Sequence, residues 1–199
     1  SARKALLEHT MQVDPSKKGK LFTVGGENII HHYGNGYLLK SPIGIRIRLG
    51  KENFVNEVVT DFPILKKYLG EFLPEVSVVP QTQNNKPYFN ILQKFVEGKV
   101  LCEKDLKNQE IKNQFVNLVK QNKEMEEEHK ISWDFFGAES LFLGNKSKVA
   151  NLFITPRNEL KIIDIGTMRL ERRGQPLLVW AIILWAHRRQ KHYLDFLLR

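Results

Sequence analysis

From residue 21 the chain alternates short apolar runs with turn residues. Leu21-Phe22-Thr23-Val24, Ile29-Ile30-His31-His32-Tyr33 and Tyr37-Leu38-Leu39-Lys40 are separated by Gly25-Gly26-Glu27-Asn28 and Gly34-Asn35-Gly36. Their β-branched and aromatic content predicts three short strands. Asn35-Gly36 marks a hairpin, because a type I′ turn needs positive φ at both central positions and these residues tolerate it best. Between Glu52 and Leu69 the apolar positions Phe54, Val55, Val58, Val59, Phe62, Leu65 and Leu69 fall at helical spacing, with Pro63 expected to break or kink the helix. Val76 to Val79 and Tyr88 to Gln93 predict two further strands joined by a polar loop, 81–86. The first half therefore reads as a five-stranded antiparallel sheet with one helix inserted.

Beyond Gly98 the spacing turns helical. Ile111, Phe115, Leu118, Val119 and Met125 mark one face of a helix ending near Glu128. Val149 to Thr155 and Leu160 to Ile163 predict a short hairpin turned by Pro156-Arg157-Asn158. A last helix runs from Pro176 to about Leu198, apolar first and then basic at His187, Arg188, Arg189 and Lys191. Its apolar stretch, Pro176 to Ala186, is about half the length of a membrane span and reads as a buried helix, with Trp180, Trp185 and Tyr193 on its buried face. Residues 1–20 are polar, end in Ser16-Lys17-Lys18-Gly19-Lys20, and predict a helical or irregular lead-in. The expected fold class is α+β in two lobes, a β-rich lobe over 1–97 and a mainly α-helical lobe with one short β-hairpin over 98–199.

Composition narrows this modestly. With 42% hydrophobic and 27% charged residues in 199, the chain has the balance of a folded domain rather than a disordered or fibrous one. Its net charge of +9 attracts polyanions without choosing among them, and no basic run exceeds a pair such as Arg172-Arg173 or Arg188-Arg189. Cys102 is the single cysteine, which excludes an internal disulfide and suggests a reducing compartment, with the cytoplasm expected. Nothing behind Ser1-Ala2-Arg3-Lys4 reads as a signal peptide, no transmembrane segment is expected, and His31, His32 and His129 have no partner at zinc-ligand spacing.

Four segments carry candidate chemistry. Gly25-Gly26 sits between two strands, where bare backbone can approach a phosphate closely. Lys40 on the third strand and Glu57 on the next helix are spaced to pair. Asn151, in Val149-Ala150-Asn151-Leu152-Phe153-Ile154-Thr155, and Asp164, in Ile162-Ile163-Asp164-Ile165-Gly166, offer one neutral and one charged oxygen to a hard divalent cation. Ile91-Leu92-Gln93-Lys94-Phe95-Val96-Glu97-Gly98 completes the set.

In this order the segments resemble the protein-kinase-like superfamily over about residues 21–166. The resemblance implies that Gly25 and Gly26 approach the triphosphate, that Lys40 and Glu57 form the phosphate-holding ion pair, and that Asn151 and Asp164 hold Mg2+. It also implies that the backbone near Gln93 and Phe95 meets the adenine edge of ATP bound in an interlobe cleft, with Ile165 replacing the Phe of the Asp-Phe-Gly motif.

The sequence departs from the family in the catalytic loop. Protein kinases carry an Asp five residues before the metal-binding Asn, and Lys146 stands there in this chain. Asp134, in Ser132-Trp133-Asp134-Phe135-Phe136-Gly137, is the nearest upstream carboxylate, open to two readings: a catalytic group or the cap of a turn. Lys146 or Lys148 is alternatively placed to neutralise phosphate charge. Little chain follows Asp164 to make a peptide platform, so the acceptor is expected to be a specialised protein or a small molecule. A pseudokinase acting as a regulatory module is the alternative, and a basic nucleic-acid-binding module ranks last.

Overall fold

The structure is a computed structural model and describes residues 13–25, 28–43, 52–83, 86–172 and 175–199. Gly26, most of the lead-in (1–12) and the tip of the 81–86 loop (84 and 85) lie outside the described residues. The fold is α+β. One compact unit takes the chain up to Thr60 together with Pro74–Phe95, and a second takes Asp61–Leu73 and Val96–Arg199.

The first unit is built on a five-stranded antiparallel sheet of β1 (Lys18–Val24), β2 (Asn28–Tyr33), β3 (Tyr37–Pro42), β4 (Val76–Gln83) and β5 (Lys86–Lys94), in the order β1-β2-β3-β5-β4. Asn35 and Gly36 have φ of 64° and 74°, the left-handed pair that the β2–β3 hairpin requires. Leu39, Val79 and Leu92 form a buried cluster on the sheet, with Val13 and Tyr33 against it.

Three boundaries differ from expectation. The first strand begins at Lys18 rather than Leu21, because backbone pairing with Tyr33 extends it through the polar Lys18-Gly19-Lys20. It is an exposed edge strand, where lysines are tolerated and discourage pairing with another chain. Strands β4 and β5 run to Gln83 and from Lys86, so most of the expected 81–86 loop is ladder. Helix α1 (Glu52–Leu69) passes through Pro63 unbroken. Burial of Val55 before the proline and of Leu65 and Leu69 after it holds the helix across the missing N–H.

The second unit is not mainly helical. Alongside α2 (Gln109–His129), α3 (Gly137–Leu143) and α4 (Leu177–Leu198) it holds five short strands. These are β6 (Lys99–Cys102), β8 (Lys148–Ile154) and β9 (Leu160–Ile162) in one sheet, and β7 (Ile131–Trp133) with β10 (Thr167–Arg169) in a two-stranded ribbon. Strands β7 and β10, three residues each with no local turn joining them, show no alternating pattern, so sequence periodicity misses them. Phe115, Leu118, Met125, Trp133, Phe135 and Leu152 are wholly buried and centre the core. Gly98 opens β6, where any side chain would collide with the Ile154 carbonyl of β8.

Helix α4 also departs from expectation. Its buried residues are His187, Gln190, Tyr193, Leu194 and Leu197, all from the middle of the helix onward. The apolar first half is the exposed half, with Leu177 at 60%, Leu178 at 73% and Trp185 at 39% exposure. Its tie to the unit is made by Trp180, whose Nε1 donates to the Leu170 carbonyl just past β10. Among the described residues no helix is long and apolar enough to cross a membrane.

Candidate functional site

Two antiparallel pairings bring Asp134, Asn151 and Asp164 together within the second unit. In the ribbon, Trp133 of β7 lies opposite Thr167 of β10, which leaves Asp134 and Gly166 facing each other at its open end. The Asp134 N–H donates to the Gly166 carbonyl at 3.0 Å. In the other sheet Leu152 lies opposite Ile162, so the next pair out is Asn151 with Ile163. The Ile163 N–H donates to the Asn151 carbonyl at 3.0 Å, which puts Asp164 immediately past the end of that hairpin. Cross-links between the two pairings complete the assembly. Asn151 Nδ2 donates to the Asp134 carbonyl at 2.8 Å, the Asn151 N–H donates to the Phe135 carbonyl at 3.1 Å, and Trp133 Nε1 donates to the Asp164 carbonyl at 2.7 Å.

Each side chain is held in a defined way. Asp134 Oδ1 accepts from the N–H groups of Phe136 and Gly137 at 3.1 and 2.8 Å, the capping role that was one of its two sequence readings. Asp164 Oδ1 accepts from the Gly166 N–H at 2.9 Å, which folds Asp164-Ile165-Gly166 into a turn. Because the partner of Asn151 Nδ2 is a carbonyl, the amide must present its nitrogen there. Its Oδ1 is thereby turned to other use. Gly137 turns the chain beside that amide at φ 71°, a left-handed conformation that side chains disfavour.

Behind these turns lies a buried polar network. Asn122 of α2 accepts at Oδ1 from the Trp133 N–H at 2.7 Å, and its Nδ2 donates to Glu126 Oε1 and Ser132 Oγ. Gln190 of α4, fully buried, accepts from the Phe135 N–H at 2.9 Å and donates to the Trp133 carbonyl at 2.9 Å. The backbone on both sides of Asp134 is thus gripped by side chains from two helices. Burial by itself would raise the Glu126 carboxyl, but contact with His187, a hydrogen bond from Ser132 and the charges of His187 and Lys191 hold it below the usual carboxylate range. His187 Nε2 lies 3.1 Å from Glu126 Oε1 without a well-aligned hydrogen bond between them.

A second clamp holds β10. Asp61, 2% exposed, receives Arg169 Nε at 2.9 Å and Nη2 at 2.5 Å, and Thr167 Oγ1 at 3.1 Å. This forked ion pair fixes the strand that begins one residue after Gly166.

The remaining expected site residues belong to the first unit. Lys40 is buried within β3, opposite Ile30 and Ile91, and Glu57 lies in α1. The Gly25 N–H is committed to the β1–β2 turn, donating to the Asn28 carbonyl at 2.8 Å. Gln93, 3% exposed, sits inside β5 between Leu38 and Val76, and its Oε1 has no hydrogen-bond partner among the described residues. Phe95 is 47% exposed and its N–H donates to the Gly36 carbonyl. Lys146 stands over the Phe196 ring of α4, 4.1 Å from its centroid.

Sequence reasoning missed Asn122, Gln190, Asp61 and Gly137. The available signals were polar residues interrupting the apolar faces of helices and a glycine three residues after Asp134. Among the described residues no group of three or more His, Cys, Asp or Glu side chains is placed to hold a metal ion. No protein-family model and no curated protein sequence matches the chain.

Proposed function

We propose that the chain is a kinase-like phosphotransferase that takes ATP with Mg2+ and passes the γ-phosphate to a protein or small-molecule acceptor. The observation that carries this reading is the bond from Asn151 Nδ2 to the Asp134 carbonyl. It holds Asn151, one of the two oxygen donors for a cation, against the backbone of Asp134, the carboxylate read as serving an acceptor hydroxyl. Asn151 Oδ1 and Asp164 suit Mg2+, a hard ion that takes few protein ligands and fills its shell with water and phosphate oxygens. Bound Mg2+ would draw charge from the phosphates as they separate. In this reading Lys40 and Glu57, both in the first unit, would serve the phosphate charge.

Asp134 positions the acceptor hydroxyl and receives its proton. A bond then forms between the acceptor oxygen and the γ-phosphorus, and the bond from that phosphorus to the β–γ bridging oxygen breaks, releasing ADP. The two N–H bonds to Asp134 Oδ1 fix the carboxylate before substrate arrives, and such placement is where phosphoryl transfer draws most of its catalysis.

A pseudokinase is the second reading, supported by the same capping bonds and by Lys146, which rests on Phe196. Release or transfer of labelled γ-phosphate separates the two. The phosphotransferase reading expects turnover by the wild-type chain that falls about 100-fold or more in Asp134→Asn, the scale of a lost acid–base group. Nucleotide binding with no turnover in either protein supports the pseudokinase.

A further inference from the structure

We propose that α4 and the α3–β8 turn form a docking face for an anionic membrane surface, with lipid phosphate seated in a basic depression at its centre. At 3.6 residues per turn the exposed residues of α4 fall within about 180° of its circumference, so they make one broad stripe. The first half of that stripe is apolar, with Leu177, Leu178, Ile182 and Trp185 exposed. Phe142 and Leu143 of α3 widen it, 60% and 76% exposed, and the Phe142 ring stacks on Trp185 with centroids 4.9 Å apart.

The second half of the stripe is mainly basic, with Arg188, Lys191 and His192 exposed beside the Asp195 carboxylate. Arg188, Arg189 and His192 join Lys146 around an open depression of about 590 Å³ that has no carboxylate in its wall. The lysine and the two arginines of this set make no ion pair with a carboxylate among the described residues. Arg189 is nonetheless held in place, its Nε donating to Tyr193 Oη at 2.6 Å and its guanidinium lying 5.3 Å from the Trp185 ring centre. A preset guanidinium ringed by unpaired cations is suited to a phosphate.

Charge alone would fit nucleic acid equally well, and the stacked rings would suit its bases. The aliphatic side chains decide between them. Leu177, Leu178, Ile182 and Leu143 offer nothing to a base or a sugar-phosphate chain, whereas acyl chains take such side chains from water, with tryptophan at the boundary between tails and headgroups. A face that is apolar at one end and basic at the other therefore lies on an anionic bilayer without entering its core, and the inference stands independently of the phosphotransferase reading.

The test is co-sedimentation of the full chain with phosphatidylcholine vesicles, with and without phosphatidylglycerol. The chain is expected to sediment with the anionic vesicles and stay soluble with the neutral ones. Arg188→Gln is expected to weaken binding about fivefold, as one juxtamembrane cation does. Leu178→Glu is expected to weaken it about tenfold or more, through lost apolar burial and added negative charge. Both side chains are exposed, so unchanged melting by circular dichroism keeps these losses from being a folding defect. Four results overturn the proposal: no sedimentation with either vesicle, equal sedimentation with both, or release by inorganic phosphate at constant ionic strength, which assigns the depression to a free phosphate. The fourth is an unbound vesicle beside either a dimer that Leu178→Glu dissolves or an oligonucleotide complex that Arg188→Gln weakens.

Discussion

The five-stranded sheet and the Asp134–Asn151–Asp164 assembly solve the same problem, fixing backbone in space, by different means. The sheet does it with length. Strands of six to nine residues, from β2 and β3 to β5, pair along continuous ladders, and each residue's position is overdetermined by its neighbours. The candidate site does it with side chains. Its ribbon is three residues long on each side and its turns have no ladder beyond them, so the geometry depends on Asn122, Gln190 and the Asp61–Arg169 pair. The geometry of the candidate site rests on few groups, Asn122, Gln190 and Asp61 buried and Arg169 partly so, each carrying several bonds.

That contrast is breakable in order of expected effect. Largest is Asp61→Ala, which leaves the Arg169 guanidinium without its buried carboxylate and is expected to cost about 3–5 kcal/mol in denaturant unfolding. If Asp61→Ala costs no more than an ordinary surface change, β10 is not held by this pair. Next comes Gln190→Ala, which strips partners from the Phe135 N–H and the Trp133 carbonyl and is expected to cost about 2–4 kcal/mol, at about 1–2 kcal/mol for each buried group left unsatisfied. Amide exchange should accelerate at Trp133 to Phe135 while the β3–β5 ladder keeps its protection. Equal acceleration in both regions would show that the sheet and the site do not differ in this way.

The smallest effect is a pH dependence. Glu126 is held below its ordinary range in the folded chain, so the stabilisation it gives is present above the unfolded carboxylate range near 4.5 and is lost as pH falls through the lower folded value. Melting temperatures of the wild-type chain and Glu126→Gln, compared from neutral to acid pH, should converge as the pH drops below that range. Curves that stay parallel would mean the carboxylate is not stabilised by its neighbours.

The same contrast explains what the sequence could reveal. The sheet was legible because its turns carry chemistry, Asn35-Gly36 above all, and because its strands are long enough to show a pattern. The hairpin of β8 and β9 was legible through its Pro156-Arg157-Asn158 turn and the length of β8, and its register places Asn151 beside the residue preceding Asp164. Strands β7 and β10 were not, since three residues cannot display a period and their pairing joins residues more than thirty apart. Pro63 misled because local propensity was overridden by burial on both sides. The apolar run of α4 misled in the opposite sense. Hydrophobicity alone does not say whether a face is covered, and the first half of this helix remains exposed.

The central claim, that Asn151 and Asp164 hold Mg2+ for a nucleotide, is tested most directly by thermal unfolding with and without ATP and Mg2+, on the wild-type chain and on Asp164→Ala. A ligand at about 100 times its Kd stabilises the native state by about 2.7 kcal/mol, a midpoint shift that is easily read. The account predicts that the wild-type midpoint rises with ATP and Mg2+ together and that the Asp164→Ala midpoint does not. A wild-type midpoint unmoved at saturating nucleotide, or an equal rise in both proteins, would contradict it.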